Sequence, residues 1–128
     1  MSKQKTEILI IDDQPGVRKL LEEVLSMEGY SINLASNGTQ AMELISSTRP
    51  DLVLMDVKMP GINGLELLKV LKEKATQINV IMMTACIEQE IIEEAKKYGV
   101  EHYINKPFDL EEVCSILKQV LNESNLMV

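Results

Sequence analysis

A chain of 128 residues can bury one hydrophobic core and leaves little room for a second. Its net charge is −7, its pI is near 4.7 and it has no cluster of Lys or Arg, so nucleic acid and anionic membrane surfaces are disfavoured as partners. No apolar run approaches the roughly 20 residues that cross a bilayer, and Cys86 and Cys114 show neither metal-ligand nor redox spacing.

No secretory signal precedes the cysteines, so the expectation is a soluble cytoplasmic protein with reduced thiols. The eight Met residues and scarcity of aromatics suit an adaptable aliphatic core. Ile8 to Ile11 is a short, wholly apolar run and reads as a buried strand. Pro15 suits the first turn of a helix. Val17, Leu20, Leu21, Val24 and Leu25 then recur at helical spacing until Gly29 stops them. Ser31 to Ala35 reads as a second strand, and Asn37-Gly38 as a turn. Ala41, Leu44 and Ile45 mark a shorter helix that closes before Pro50.

Leu52 to Met55 is a third apolar strand, followed by loop signals at Pro60-Gly61 and Asn63-Gly64. Leu67, Leu68 and Leu71 face inward from a third helix, and Val80 to Met83 forms a fourth strand. Ile91, Ile92, Ala95 and Tyr98 belong to a fourth helix stopped at Gly99. His102 to Ile104 is a fifth strand. Asp109 with Glu112 fits a capping box, and Phe108 with Val113 a hydrophobic staple. Leu110, Val113, Cys114, Leu117, Val120 and Leu121 form the buried face of the last helix, and a frayed tail is expected after Asn122.

Strands alternating with helices imply an α/β fold, a parallel sheet covered on both faces. Strands one, three and four are apolar throughout and belong in the centre. Strand two alternates polar and apolar residues, and strand five is short and carries His102, so these two are edges. The resulting order is 2-1-3-4-5, the flavodoxin-like (βα)5 arrangement. The whole chain reads as a single domain with its core at about residues 5–122.

Ligands of such sheets bind outside the carboxyl ends of the strands where the winding reverses, here between strands one and three. Strand one ends in Asp12-Asp13, strand three in Asp56, strand four in Thr84, and strand five runs into Lys106-Pro107. Three carboxylates at one crevice repel one another and call for a cation. Mg²⁺ fits, held by Asp12, Asp13, Asp56 and the backbone carbonyl of Lys58. Asp56 is then placed to act as a carboxylate nucleophile toward phosphorus. Lys106 offers a positive charge and Thr84 a hydroxyl donor to the same phosphoryl oxygens. The cost of a cis X-Pro bond is only about 0.5–1 kcal/mol, which makes Lys106-Pro107 a candidate for one. Capping of the following helices is the simpler role for any one of these acids, but capping does not require Lys106 and Thr84 on the same rim.

Asp12-Asp13, Asp56, Thr84 and Lys106-Pro107, in this order and spacing, resemble the signature set of bacterial response-regulator receiver domains. The segments Leu52 to Gly61 and Asn105 to Phe108 carry the same likeness, which covers about residues 5–122. Within that family, Ile10 to Gln14, Lys58 and Pro107-Phe108-Asp109 are most similar to stand-alone response regulators of the Bacillus-type sporulation phosphorelay. The resemblance implies a phosphoryl carrier without an output domain and not an enzyme. It implies a sensor histidine kinase as donor, a histidine phosphotransferase as acceptor and an aspartyl-phosphate phosphatase as a further partner. It also implies a switch formed by Thr84 and Tyr103, and partner choice and acyl-phosphate lifetime tuned by Pro15 and Cys86; Lys58 is further expected to shield Asp56 from water and lengthen that lifetime.

Arg18 and Leu21 are candidate partner contacts on the first helix, with core packing the stronger reading for Leu21. His102 reads as an ordinary surface histidine. The alternative function is a phosphorylation-activated binding module of the chemotaxis-receiver type. A Mg²⁺-dependent phosphohydrolase is disfavoured, because Lys58 stands where a leaving-group acid two residues after the nucleophile is needed.

Overall fold

The computed structural model describes residues 5–57, 64–74, 78–85 and 89–126, with side chains described up to Asn122. Five strands alternate with five helices: β1 (Glu7–Ile11), α1 (Pro15–Met27), β2 (Ser31–Ala35), α2 (Gly38–Thr48), β3 (Leu52–Asp56), α3 (Gly64–Lys74), β4 (Asn79–Thr84), α4 (Gln89–Lys97), β5 (His102–Asn105) and α5 (Leu110–Leu126). All strand pairs are parallel and the order is β2-β1-β3-β4-β5, as strand polarity predicts. Every residue of β3 is buried, whereas four of the five residues of β2 are only half-buried, in keeping with a central and an edge strand.

Alternation along the strands divides the core in two. Leu9, Ile11, Val53, Met55 and Met82 point to the face covered by α2, α3 and α4. Ile8, Ile10, Leu54, Ile81 and Met83 point to the face covered by α1 and α5. Burial of each such side chain contributes about 1.5–3 kcal/mol. Leu21 and Leu25 of α1 are fully buried in the second cluster, so Leu21 is core and not a partner contact.

Several local readings are sharpened. Asn37-Gly38 is not a free-standing turn: Asn37 is the N-cap of α2, and its side-chain oxygen accepts the Gln40 N–H at 2.9 Å. Asp109 caps α5 through the Glu111 N–H at 2.9 Å, a single bond in place of the expected reciprocal box with Glu112. The last helix continues to Leu126 past the fraying point expected after Asn122. Gly29 and Gly99 both take positive φ just after their helices, the conformation that favours glycine there. Pro60-Gly61, Asn63 and Cys86 lie outside the described residues.

Candidate functional site

Each polar residue of the site sits where a strand runs out. β1 is followed at once by Asp12, whose N–H still bonds the Ala35 carbonyl of β2 at 3.1 Å. Asp56 closes β3, and the next N–H, that of Val57, bonds the Met83 carbonyl of β4 at 3.0 Å. Thr84 closes β4, and its carbonyl accepts the Lys106 N–H at 2.9 Å. The sheet ladder thus extends one residue beyond the strands and fixes the backbones that carry these side chains. Lys106-Pro107 is a cis bond.

The side chains converge. Lys106 Nζ donates to Asp12 Oδ2 at 2.6 Å, to Asp56 Oδ2 at 3.1 Å and to Gln14 Oε1 at 3.3 Å. Asp12 is fully buried, Asp56 and Thr84 nearly so, and Asp13 is exposed. Burial alone would depress the Lys106 pKa, but hydrogen bonds and charge from Asp12 and Asp56 outweigh it and hold the ammonium above the ordinary lysine value. Lys106 is therefore a fixed cation at neutral pH. A cavity of about 700 Å³ opens over these groups and is also lined by Val17, Leu20 and Phe108.

Asp12, Asp13 and Asp56 each offer a carboxylate oxygen within 4.8 Å of the others. Three carboxylates facing one ammonium leave an excess of two negative charges, which a hard divalent cation matches. The donor set is all oxygen, as Mg²⁺ requires. The Lys58 carbonyl, expected as a further ligand, lies outside the described residues. Tyr103, the expected switch partner of Thr84, has its hydroxyl turned to the backbone, 3.3 Å from the Ile92 carbonyl and 3.2 Å from that of Val100. Burial raises its phenol pKa and keeps it neutral. His102 is half-buried on β5, away from the acids by register: it pairs with Ile81, three residues before Thr84.

Three contacts of the site escape the sequence reading, which names Arg18 only as a candidate partner contact and gives Gln14 and Gly64 no part in the site. Arg18 Nη1 donates to the Asp12 carbonyl at 2.7 Å and pins the turn between β1 and α1. The Gln14 N–H donates to Asp12 Oδ1 at 2.9 Å. Gly64 closes the loop after Asp56: its N–H bonds the Val57 carbonyl at 2.7 Å, and a Cβ there would stand 2.7 Å from Val57 Cα and 3.0 Å from the Asp56 carbonyl. No L side chain fits that approach without moving the backbone of Val57, the residue next to Asp56. Gly64→Ala should cost about 1–3 kcal/mol in chemical denaturation and slow any chemistry at Asp56; a wild-type denaturation midpoint would show that the contact relaxes freely.

Residues 8–118 match the response regulator receiver domain family. Sporulation initiation phosphotransferase F of Bacillus subtilis is 46% identical over 115 residues, which are 90% of this chain and 93% of that protein. Regulatory protein AtoC of Escherichia coli is 40% identical over 89% of this chain, which spans only 25% of AtoC. A crystal structure of a CheY-like response regulator receiver domain protein from Methanospirillum hungatei superposes with a TM-score of 0.94 at 26% identity, covering 98% of this chain and all of that one.

Proposed function

The chain belongs to the response-regulator receiver family, and from that membership we propose that it works as a phosphorelay intermediate that takes a phosphoryl group onto Asp56 and passes it on. The observation that carries this reading is the Lys106 ammonium set between Asp12 and Asp56 at 2.6 and 3.1 Å, beside an acidic cluster that suits Mg²⁺. The near full-length likeness to the Bacillus sporulation phosphotransferase supports a place in the initiation of sporulation.

In this reading an Asp56 carboxylate oxygen attacks the phosphorus of a phosphohistidine on a sensor histidine kinase. The O–P bond forms as the P–N bond breaks, and the bond's electron pair stays on the imidazole nitrogen. Lys106 faces the charge on the phosphoryl oxygens, and the Thr84 hydroxyl donates to them. Asp12, Asp13, Asp56 and the Lys58 carbonyl would hold Mg²⁺, which supplies charge neutralisation of those oxygens when bound. The reverse displacement hands the group to a histidine phosphotransferase. The chain is then a carrier that assists its own phosphorylation and not a turnover enzyme. An aspartyl-phosphate phosphatase would be a third partner, and the cytoplasm the place of action; among the described residues no helix is long and apolar enough to cross a membrane.

The docking surface follows from α1. Val17, Leu20, Val24 and Met27 are spaced three, four and three residues apart, the seam spacing of paired helices. Leu20 is 43% and Met27 85% exposed, and the stripe begins at the rim of the cavity over Asp56. It suits an amphipathic helix that presents a histidine to Asp56. Leu20→Glu should slow phosphoryl exchange with a histidine partner by about tenfold or more, the effect of losing one interface anchor, with melting close to wild type. Unchanged exchange would move the docking site elsewhere.

Chelation provides a test of the metal. EDTA should abolish labelling of Asp56 by phosphorylated kinase, and added Mg²⁺ should restore it. Label acquired equally well in EDTA would remove the cation from the mechanism. Transfer of label from Asp56 to a histidine protein tests the relay itself; a phosphorylation-dependent gain in affinity for a target without histidine would favour a chemotaxis-type binding module.

A further inference from the structure

Gln14 occupies the N-cap position of α1, yet its side chain makes no capping bond. The side chains that cap this position are the short ones of Ser, Thr, Asp and Asn, and the longer Gln side chain is free to reach elsewhere. Both ends of Gln14 are committed instead to the phosphorylation site. Its backbone N–H donates to Asp12 Oδ1 at 2.9 Å, and its side-chain Oε1 accepts from Lys106 Nζ at 3.3 Å. An ammonium group has three N–H donors and no acceptor, so the carboxamide must present oxygen to it. Asp12, Asp56 and Gln14 together account for all three donors.

The three acceptors are unequal. Asp12 is fully buried and holds Lys106 at the shortest distance. Asp56 is the nucleophile, and its Oδ2 is engaged by the ammonium before any reaction. Gln14 is neutral, exposed and lines the same cavity as Asp56, Thr84 and Lys106. When Asp56 takes the phosphoryl group, Lys106 has to turn one donor from the carboxylate to a phosphoryl oxygen. It keeps its place best if its other two donors stay bound while it turns.

We infer that Gln14 is a positioning residue for Lys106: with Asp12 it forms a two-point anchor about which the ammonium swings from the Asp56 carboxylate to the phosphoryl group. The inference rests on the phosphoryl-carrier reading of Asp56. Gln14 acts only through Lys106 and needs no contact with the phosphoryl group itself.

The experiment compares Gln14→Met and Gln14→Glu with wild type. Met keeps the reach of the side chain and removes the acceptor; Glu keeps both reach and acceptor. The first readout is the ¹⁵N–¹H signal of the Lys106 ammonium in the unphosphorylated protein. It should exchange faster with water in Gln14→Met and stay protected in Gln14→Glu. The second readout is the rate of Asp56 labelling by acetyl phosphate with Mg²⁺, a small donor that needs no docking surface. Gln14→Met should slow it on the order of fivefold, the worth of one hydrogen bond. A Lys106 signal unchanged in Gln14→Met, or a wild-type labelling rate in that variant, would overturn the assignment. Loss of protection in Gln14→Glu as well would do the same, since the acceptor would then not be what holds the lysine. Asp56→Asn is run alongside. Label on that variant would contradict the carrier reading itself, independently of how Gln14 behaves.

Discussion

Asp56→Asn will take no label from acetyl phosphate or from a phosphorylated kinase under conditions that label the wild type. The amide lacks the nucleophilic oxyanion, so the loss should be about 10⁴-fold or more, below detection, in line with removal of other covalent nucleophiles. The fold should survive the change. Asp56 is one of three carboxylates facing a single ammonium, and Asn keeps the shape while removing one of the repelling charges. A wild-type circular dichroism spectrum with absent label separates chemistry from folding. Label on both proteins in equal amount would place the phosphoryl group on another residue.

Lys106→Ala should produce two effects that differ in sign with respect to metal. Lys106 is the partner of Asp12, a carboxylate with no exposure, and its removal leaves that charge buried. Breaking such a pair costs about 3–5 kcal/mol, so without divalent ions the variant should unfold at lower denaturant. The acidic ligands remain, and the local charge becomes more negative, so Mg²⁺ should still bind and should stabilise the variant at least as much as wild type. Phosphorylation should nonetheless fall about 10²–10³-fold, the usual effect of losing a charge stabiliser of the transferring group. Denaturation with and without Mg²⁺, set beside labelling rates, reads both. Normal labelling would take Lys106 out of the site, and loss of Mg²⁺ stabilisation would show that the lysine organises the ligands as well as the phosphoryl group.

Much of this was legible because the signals are ones of period and polarity. The run Leu52 to Met55 reads as a strand buried on both faces and the mixed Ser31 to Leu34 as an edge; strand order followed from that contrast. Order in turn brought Asp12, Asp56, Thr84 and Lys106 to one rim, since each stands at a carboxyl end. Less legible were contacts that depend on side-chain reach. Nothing in the pattern tells that Gln14 turns away from its helix toward Lys106, or that Arg18 folds back onto the Asp12 carbonyl. Asn37-Gly38 looked like a turn because the same residue types serve turns and helix starts; the deciding bond, from the Gln40 N–H to Asn37, is a tertiary outcome. Gly64 carried a loop signal, but its role comes from a 2.7 Å approach to the Val57 backbone that no spacing rule encodes.

The relay reading joins these features. A buried, ladder-fixed Asp56 with a positioned lysine is suited to hold an acyl phosphate, and the apolar seam of α1 beside it is suited to bring a histidine within reach. The most direct test uses the purified chain with Mg²⁺, the sensor kinases and histidine phosphotransferases of the same organism, and radiolabelled ATP. Label should pass from a kinase histidine to Asp56 and then to a phosphotransferase histidine, with both steps lost in Asp56→Asn. Label that reaches the phosphotransferase as fast through Asp56→Asn, or that stays on Asp56 with every phosphotransferase present, would contradict the account.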